Sequence, residues 1–363
     1  MKGRRMQPAN EAELSEAVRS AERPLVLRGG GTRGICRAVG TVLQTSGLTG
    51  IELYEPGALT LVARAGTPLT EVEAVLAAER QRLAFEVPDL RGLLGRDGAS
   101  TVGGVVAANA SGPRRVQVGA CRDALLGVRF VDGTGAVIKN GGRVMKNVTG
   151  YDLVKLLAGS NGALGVLSEV SFRVQAVPEA SVTLSAETDA LQGLADLRRA
   201  LGSPFDVSGA AYMSGKAMLR LEGMAGSVRY RAGQLRALLG GGWQEDAAAD
   251  WRQLRDVTPF AGQAGAVWRL VVKPSEAGRI AAALSGETIF DWGGGLIWLL
   301  TQDPGLDVRA AVAGAGHATL IRALPGMQGV PVFPPEPPGV AALTAGLRAK
   351  FDPRGIFNAG SAA

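Results

Sequence analysis

The strongest constraint on this chain is the stretch Ser100-Thr101-Val102-Gly103-Gly104-Val105-Val106-Ala107-Ala108-Asn109-Ala110-Ser111-Gly112. Two adjacent glycines precede a run of small apolar residues, so the backbone can approach a large, flat body closely. Gly103-Gly104 stands where a helix can begin, with N–H groups offered to phosphate oxygens. A tightly packed core helix is the alternative reading of the same residues. A second bare-backbone stretch lies upstream. Pro24-Leu25-Val26-Leu27-Arg28-Gly29-Gly30-Gly31-Thr32-Arg33-Gly34 is a short apolar strand feeding a glycine-rich turn, another cradle for phosphate. Gly29, Gly31 and Gly34 satisfy G-x-G-x-x-G in form, but that fingerprint needs a helix opening at the loop. Here Ile35-Cys36-Arg37-Ala38-Val39-Gly40-Thr41-Val42-Leu43 follows, which reads as loop and strand. The loop is therefore not part of a Rossmann unit.

Several function classes are excluded by composition. His317 is the only histidine, so a metal site built on several histidines cannot form within the chain. No G-x-S-x-G elbow accompanies it, and as a lone residue His317 reads as structural. Cys36 and Cys121 lie far apart without C-x-x-C partners, which argues against a disulfide framework or zinc site and suits a reducing cytosol. The net charge of +6 is modest, and no Lys/Arg block suggests a nucleic-acid arm. No apolar h-region follows the basic amino terminus, and no apolar run is long enough to span a bilayer. A cytoplasmic location is expected, with at most peripheral contact at the inner face of the plasma membrane. With 363 residues, 46% hydrophobic and 20% charged, the chain is long enough for two or three domains.

Taken in order, the pattern gives a helix over residues 10–19 with Asn10 as N-cap, then short strands at 25–27, 41–45, 51–54 and 59–65. A helix over residues 67–76 follows, then a strand at 83–87 stopped by Pro88-Asp89. Residues 125–131 and 136–138 bracket Asp132-Gly133-Thr134-Gly135 as a hairpin. A helix over 150–159 leads to a strand at 169–174. Beyond Pro178, strands and helices segregate as in an α+β cap. Residues 331–338 form a proline-rich connector, and a last helix runs over 343–351.

The ordered set Arg28-Gly29-Gly30-Gly31-Thr32, Pro88-Asp89, Thr101-Val102-Gly103-Gly104, Asn109-Ala110-Ser111-Gly112, Gly119, Tyr151-Asp152 and Gly165-Val166 resembles the flavin domain of the vanillyl-alcohol oxidase and p-cresol methylhydroxylase superfamily. Within it, the chain resembles the smaller flavin-domain subunit (E-type) of bacterial glycolate oxidase. The likeness is dense over residues 24–174 and sparse beyond. It implies an α+β fold: a two-subdomain PCMH-type FAD-binding domain over residues 1–178, with subdomains of about 1–88 and 89–178. A cap domain over 179–330 and a tail over 331–363 returning to the flavin domain complete it.

For the site, the resemblance implies that Arg28, Gly29, Gly30, Gly31 and Thr32 wrap the pyrophosphate of FAD, with Thr101, Gly103 and Gly104 as the facing cradle. Pro88, Asn109, Ser111, Gly112, Arg115 and Gly119 are expected along the dinucleotide and ring, Gly165 and Val166 against the ring, and Asn358 near it. Without a histidine before His317, the FAD is expected to be non-covalent. Relatives that oxidise D-2-hydroxy acids alone often carry a histidine pair and a His-Gly-Asp-Gly-Asn segment, against Ala313-Gly314-Ala315-Gly316-His317 here. The implied role is the FAD-binding subunit of a glycolate oxidase complex that takes glycolate to glyoxylate, with a larger flavin subunit and an iron–sulfur subunit as partners. A self-sufficient 2-hydroxy acid oxidoreductase and a non-catalytic assembly subunit remain the alternatives. Arg269, Arg322 and Tyr212 are candidate grips for a substrate carboxylate. No catalytic residue is identified from sequence.

Overall fold

A computed structural model describes residues 5–35, 38–142 and 150–359. Cys36 lies outside them. Three sheets organise the chain. Strands β1 (Arg5–Met6), β2 (Leu25–Arg28) and β3 (Thr41–Gln44) form a small parallel sheet in the order β1-β3-β2. The helix Glu11–Arg19 crosses over between β1 and β2. Its Asn10 cap accepts from the Glu13 N–H, while Glu13 accepts from the Ala9 N–H, so the expected capping signal holds.

The second sheet contains β4 (Ile51–Glu55), β5 (Thr60–Arg64), β6 (Gln81–Leu83), β7 (Leu125–Val131), β8 (Val137–Gly141) and β9 (Val166–Ala176). The long strand β9 is its spine, with β5, β6 and β7 all antiparallel to it. The hairpin of β7 and β8 turns at Asp132, whose carboxylate accepts from the Thr134 and Ala136 N–H groups. This sheet draws strands from both sides of residue 88. β9 pairs with β5 and β6 as well as with β7, and β4 joins through β5, so strands on both sides of the expected division near residue 88 share one sheet. The expected strand at 83–87 is short, ending at Leu83.

The third sheet is antiparallel and eight-stranded, containing β10 (Ala180–Glu187), β11 (Gly209–Met213), β12 (Lys216–Gly223), β13 (Gln244–Glu245), β14 (Ala266–Val272), β15 (Glu287–Asp291), β16 (Leu296–Thr301) and β17 (Gly316–Arg322). One face packs on the helices Ala190–Leu201 and Ala225–Leu239 through Leu194, Leu197, Leu219, Leu235 and Ile297. The other face carries Met218, Val267, Ile289 and Trp298 towards Leu93 and Trp251. The central strands β11, β12, β14, β15 and β16 thus alternate between two buried faces.

On this second face a buried ion network ties the sheet to the rest of the molecule. Glu86 pairs with Arg220 (2.8 Å) and Arg114 (3.5 Å), and Glu222 pairs with Arg114 (2.9 Å) and Arg82 (2.7 Å). The last helix runs over Pro338–Phe351, five residues earlier than its sequence pattern suggests. Pro338 occupies the first helical position, where its fixed φ and missing N–H cost nothing. The chain then returns to the first sheet: the Leu25 N–H donates to the Ile356 carbonyl (2.7 Å) and the Asn358 N–H to the Leu25 carbonyl (2.8 Å).

Candidate functional site

Parallel strands β2 and β3 end side by side, and a cavity of about 320 Å³ opens beyond their carboxyl ends. That is where parallel sheets bind ligands. Leaving β2, the chain forms a loop over residues 29–34. Gln44, at the end of β3, donates to the Gly29 carbonyl and fixes the loop's first residue. Among the described residues, the N–H groups of Gly30, Gly31, Thr32, Arg33 and Gly34 donate to no protein acceptor. Consecutive unspent donors of this kind form a nest for an anion. Gly31 has φ +76°, and a Cβ there would lie 2.5 Å from the Arg28 guanidinium, which folds over the loop.

The opposite wall is the turn into the helix Val102–Ala107. The two walls touch. A Cβ on Gly30 would fall 2.6 Å from the Ala99 carbonyl carbon, and one on Gly29 would strike the Thr101 hydroxyl. This wall does not offer the free N–H groups anticipated from Gly103-Gly104. The Val102 N–H donates to Thr67, the Gly103 N–H to Ala65 (2.7 Å) and the Gly104 N–H to the Thr101 hydroxyl (3.3 Å). Its glycines serve close approach instead: a Cβ on Gly103 would lie 2.7 Å from the Ala65 carbonyl oxygen. The far end of the cavity is lined by Asn161, Gly162, Gly165, Val166 and Asn358. Asn358 is a clamp. Its side-chain oxygen accepts from the Leu27 N–H (2.8 Å), and its amide donates to the Asn161 carbonyl (2.9 Å).

Two further arginines line the cavity without having been singled out from sequence. Arg96 reaches the Gly31 carbonyl (3.4 Å). Arg33 donates to the Pro88 carbonyl and to the Ser100 hydroxyl (3.0 Å), while its Nε is buried with no partner. Burial lowers the Arg33 pKa to about 10, so the group stays cationic at neutral pH. A buried orphan N–H on a cation, a row of unspent backbone donors and two more guanidinium groups suit a diphosphate. The signal for Arg33 was its place inside the glycine loop. Arg96 lies in a polar loop with no pattern to mark it.

Not every expected site residue lines this cavity. Arg28, Gly29, Gly30, Gly31, Thr32, Thr101, Gly103, Gly104, Gly165, Val166 and Asn358 do. Pro88 touches it only through its bond from Arg33. Asn109, in a left-handed conformation, accepts from the Arg122 N–H, and Gly119 packs against Asp123. Ser111, Gly112 and Arg115 lie instead at the seam with the eight-stranded sheet. The Gly112 carbonyl accepts from Trp292 Nε1 (3.1 Å), Arg115 bonds Ser111 (3.0 Å), and the Arg115 guanidinium lies 4.7 Å from the Trp292 ring centre. Arg322 donates to the Leu93, Phe260, Gln263 and Gly265 carbonyls, and Tyr212 to the Thr188 carbonyl, so both serve the fold. Arg269 differs, lying 5.4 Å from the same Trp292 ring. Among the described residues, no cluster of three or more His, Cys, Asp or Glu is placed to hold a metal, and no helix is long and apolar enough to cross a membrane.

A parallel-strand cradle with unspent donors and an arginine-rich mouth defines a dinucleotide-binding protein, and residues 4–141 match the family model described as FAD binding domain. The chain is 37% identical over 352 residues to glycolate oxidase subunit GlcE of Escherichia coli K12, covering 96% of this chain and 95% of that one. It therefore belongs to this family of FAD-linked oxidoreductases. It is also 35% identical to a D-lactate dehydrogenase of Archaeoglobus fulgidus and 33% identical to glycolate oxidase subunit GlcD of Bacillus subtilis, spanning 38% of the length of each. Its fold is similar to that of alkyldihydroxyacetonephosphate synthase, with a TM-score of 0.68, 15% identity, and 98% and 76% of the two chains covered.

Proposed function

We propose that the chain is the FAD-binding E-type subunit of a glycolate oxidase complex, taking part in the oxidation of glycolate, a 2-hydroxy acid, to glyoxylate. The carrying observation is the near end-to-end likeness to a glycolate oxidase subunit. The cavity adds physical support, because its donors suit a pyrophosphate. When bound, FAD supplies the two-electron acceptor for the hydroxyl-bearing carbon. Arg28, Gly29, Gly30, Gly31, Thr32, Arg33 and Arg96 hold the diphosphate. Thr101, Gly103 and Gly104 admit its close approach, and Gly165, Val166 and Asn358 border the rest of the cofactor. The attachment is non-covalent. The only histidine, His317, lies on β17, and Cys121 is fully buried with a thiol pKa raised by that burial.

The flavin domain spans residues 1–178, with subdomains of about 1–88 and 89–178, and carries the first two sheets. Residues 179–330 form the cap, and residues 331–363 form the returning tail. A larger flavin subunit and an iron–sulfur subunit are the partners, because two cysteines are too few to hold a cluster in this chain. We place the complex in the cytoplasm, with at most peripheral contact at the inner face of the membrane. The test is to purify the chain, record its flavin spectrum, and assay glycolate oxidation with and without those partners. A yellow chain whose partners gain activity on adding it is expected. A chain that takes up no FAD would overturn the reading.

A further inference from the structure

Most arginines at the seam between the flavin domain and the eight-stranded sheet are neutralised. Arg82, Arg114 and Arg220 each pair with Glu86 or Glu222. Arg115 and Arg269 do not. Among the described residues, neither has a carboxylate within ion-pair distance, yet both lie over Trp292, at 4.7 and 5.4 Å from its ring centre. Arg269 is on β14, between Val267 and Val271, on the sheet face that packs against Leu93 and Trp251. Its cross-strand neighbours are Trp298 and Thr319.

The two guanidinium groups are near enough to repel. Burial lowers the Arg269 pKa to about 10, and the charge of Arg115 adds to that. The neighbouring carboxyl, Asp291, offsets the lowering of the Arg269 pKa only in part, and it lies outside ion-pair distance of both guanidinium groups. It is 3% exposed, accepts from the Trp292 N–H (2.7 Å), and burial raises its pKa to about 8, so it is largely protonated at neutral pH. Trp292 itself is held at φ 56°, a strained conformation for a bulky residue, with Gly293 at φ 64° following. The fold thus holds a strained Trp292 against two guanidinium groups that, among the described residues, have no carboxylate within ion-pair distance.

We propose that Arg115 and Arg269, converging on Trp292, form the site that grips the carboxylate of the 2-hydroxy acid. This rests on the reading of the chain as part of a 2-hydroxy acid oxidoreductase, and adds to it the residues that hold the substrate. A carboxylate between two guanidinium groups gains charge-assisted hydrogen bonds and removes their mutual repulsion. The apolar indole suits the short carbon chain of the acid. Arg115, expected from the resemblance to hold cofactor, becomes a substrate-binding residue.

The test uses the full FAD-loaded chain, titrated with glycolate and with oxalate and followed by tryptophan fluorescence. Ethylene glycol, which lacks the carboxylate, is the control. Saturable quenching by both acids and none by ethylene glycol is expected. Arg115→Gln and Arg269→Gln should each weaken the affinity at least about tenfold, the worth of one charge-assisted contact, with FAD content unchanged. Arg269→Lys, which keeps the charge but not the planar fork, should fall between. Wild-type affinity in both glutamine variants overturns the proposal, as does loss of FAD from Arg115→Gln. Glycolate oxidation by the complex with unchanged KM in both variants sinks the site and leaves the function standing. Arginine-dependent carboxylate binding without any glycolate oxidation does the reverse.

Discussion

Replacing Gly30 by alanine tests whether the two walls of the cavity act as one cradle. The new methyl would lie 2.6 Å from the Ala99 carbonyl carbon and closer still to its oxygen. Ordinary nonbonded contacts to carbon are above about 3 Å, and the carbonyl oxygen is the limiting atom, so the two loops must part by roughly 1.5 Å or more. The obstacle is backbone, which cannot rotate aside as a side chain can. Overpacking of this kind costs about 1–3 kcal/mol, and a backbone obstacle places it at the upper end. Without cofactor, the loop over residues 29–34 makes few backbone bonds and can swing outward, which relieves the clash. Binding FAD brings it back, so the cost falls on affinity: about a hundredfold in Kd for about 3 kcal/mol.

Two neighbours calibrate that figure. Gly29→Ala meets the Thr101 hydroxyl, which can rotate at the expense of its cap on the Gly104 N–H, a loss of about 1 kcal/mol or about fivefold. In Gly104→Ala the nearest atom is that hydroxyl at 3.2 Å, so its effect is the mildest. FAD uptake by the apoprotein, followed by quenching of flavin fluorescence, measures all three, with melting temperature as a check on folding. Native FAD affinity in Gly30→Ala, or a larger loss in Gly104→Ala, refutes the reasoning.

The remaining predictions concern charge. Arg33→Ala removes the buried cation of the phosphate nest and should weaken FAD binding at least tenfold by equilibrium dialysis, about 1.4 kcal/mol or more. Arg114→Ala strips a partner from Glu86 and Glu222 and should destabilise the fold by about 3–5 kcal/mol in urea unfolding, because it leaves buried charge uncompensated. Burial pushes the Glu222 pKa up, but the Arg114 hydrogen bond and the charges of Arg220, Arg114 and Arg82 outweigh it and hold the value at about 2, from 4.5. The folded pKa is depressed, so this stability is present above about pH 4.5 and is lost as pH falls towards 2; acid titration of the melting temperature should show that loss, reduced in Glu222→Gln. For Asp291 the sign reverses. Its folded pKa is raised to about 8 from 3.8, so ionisation of the unfolded chain erodes stability as pH climbs between those values, and Asp291→Asn should raise the melting temperature more at pH 8 than at pH 4.

Both cradle loops were legible in sequence because glycine has one physical meaning wherever backbones crowd. The hairpin at Asp132 and the cap at Asn10 were legible because their bonds are local. The strand at 169–174 was legible as well, but its full length as β9 and its place at the centre of the second sheet were not. Which strands it recruits depends on partners up to about a hundred residues away. The helix start at Gly103-Gly104 was found, but its spent donors were not, because the Thr67 and Ala65 carbonyls that take them belong to another segment. Ser111, Gly112 and Arg115 were placed along the dinucleotide by motif order. The structure puts Gly112 and Arg115 against Trp292, with Ser111 bonded to Arg115, and no nearby residue announces the role of that indole.

The clamp made by Asn358 sets an order of events during synthesis. It joins residues 331 positions apart, and the outer edge of β2 stays unpaired until residues 356–358 arrive. A ribosome extends the chain at about 5–20 residues per second, so the first sheet waits tens of seconds for its final partner. FAD capture is therefore expected after residue 358 has emerged: the nascent chain can bury its other sheets first and close on the cofactor once the Asn358 clamp can form.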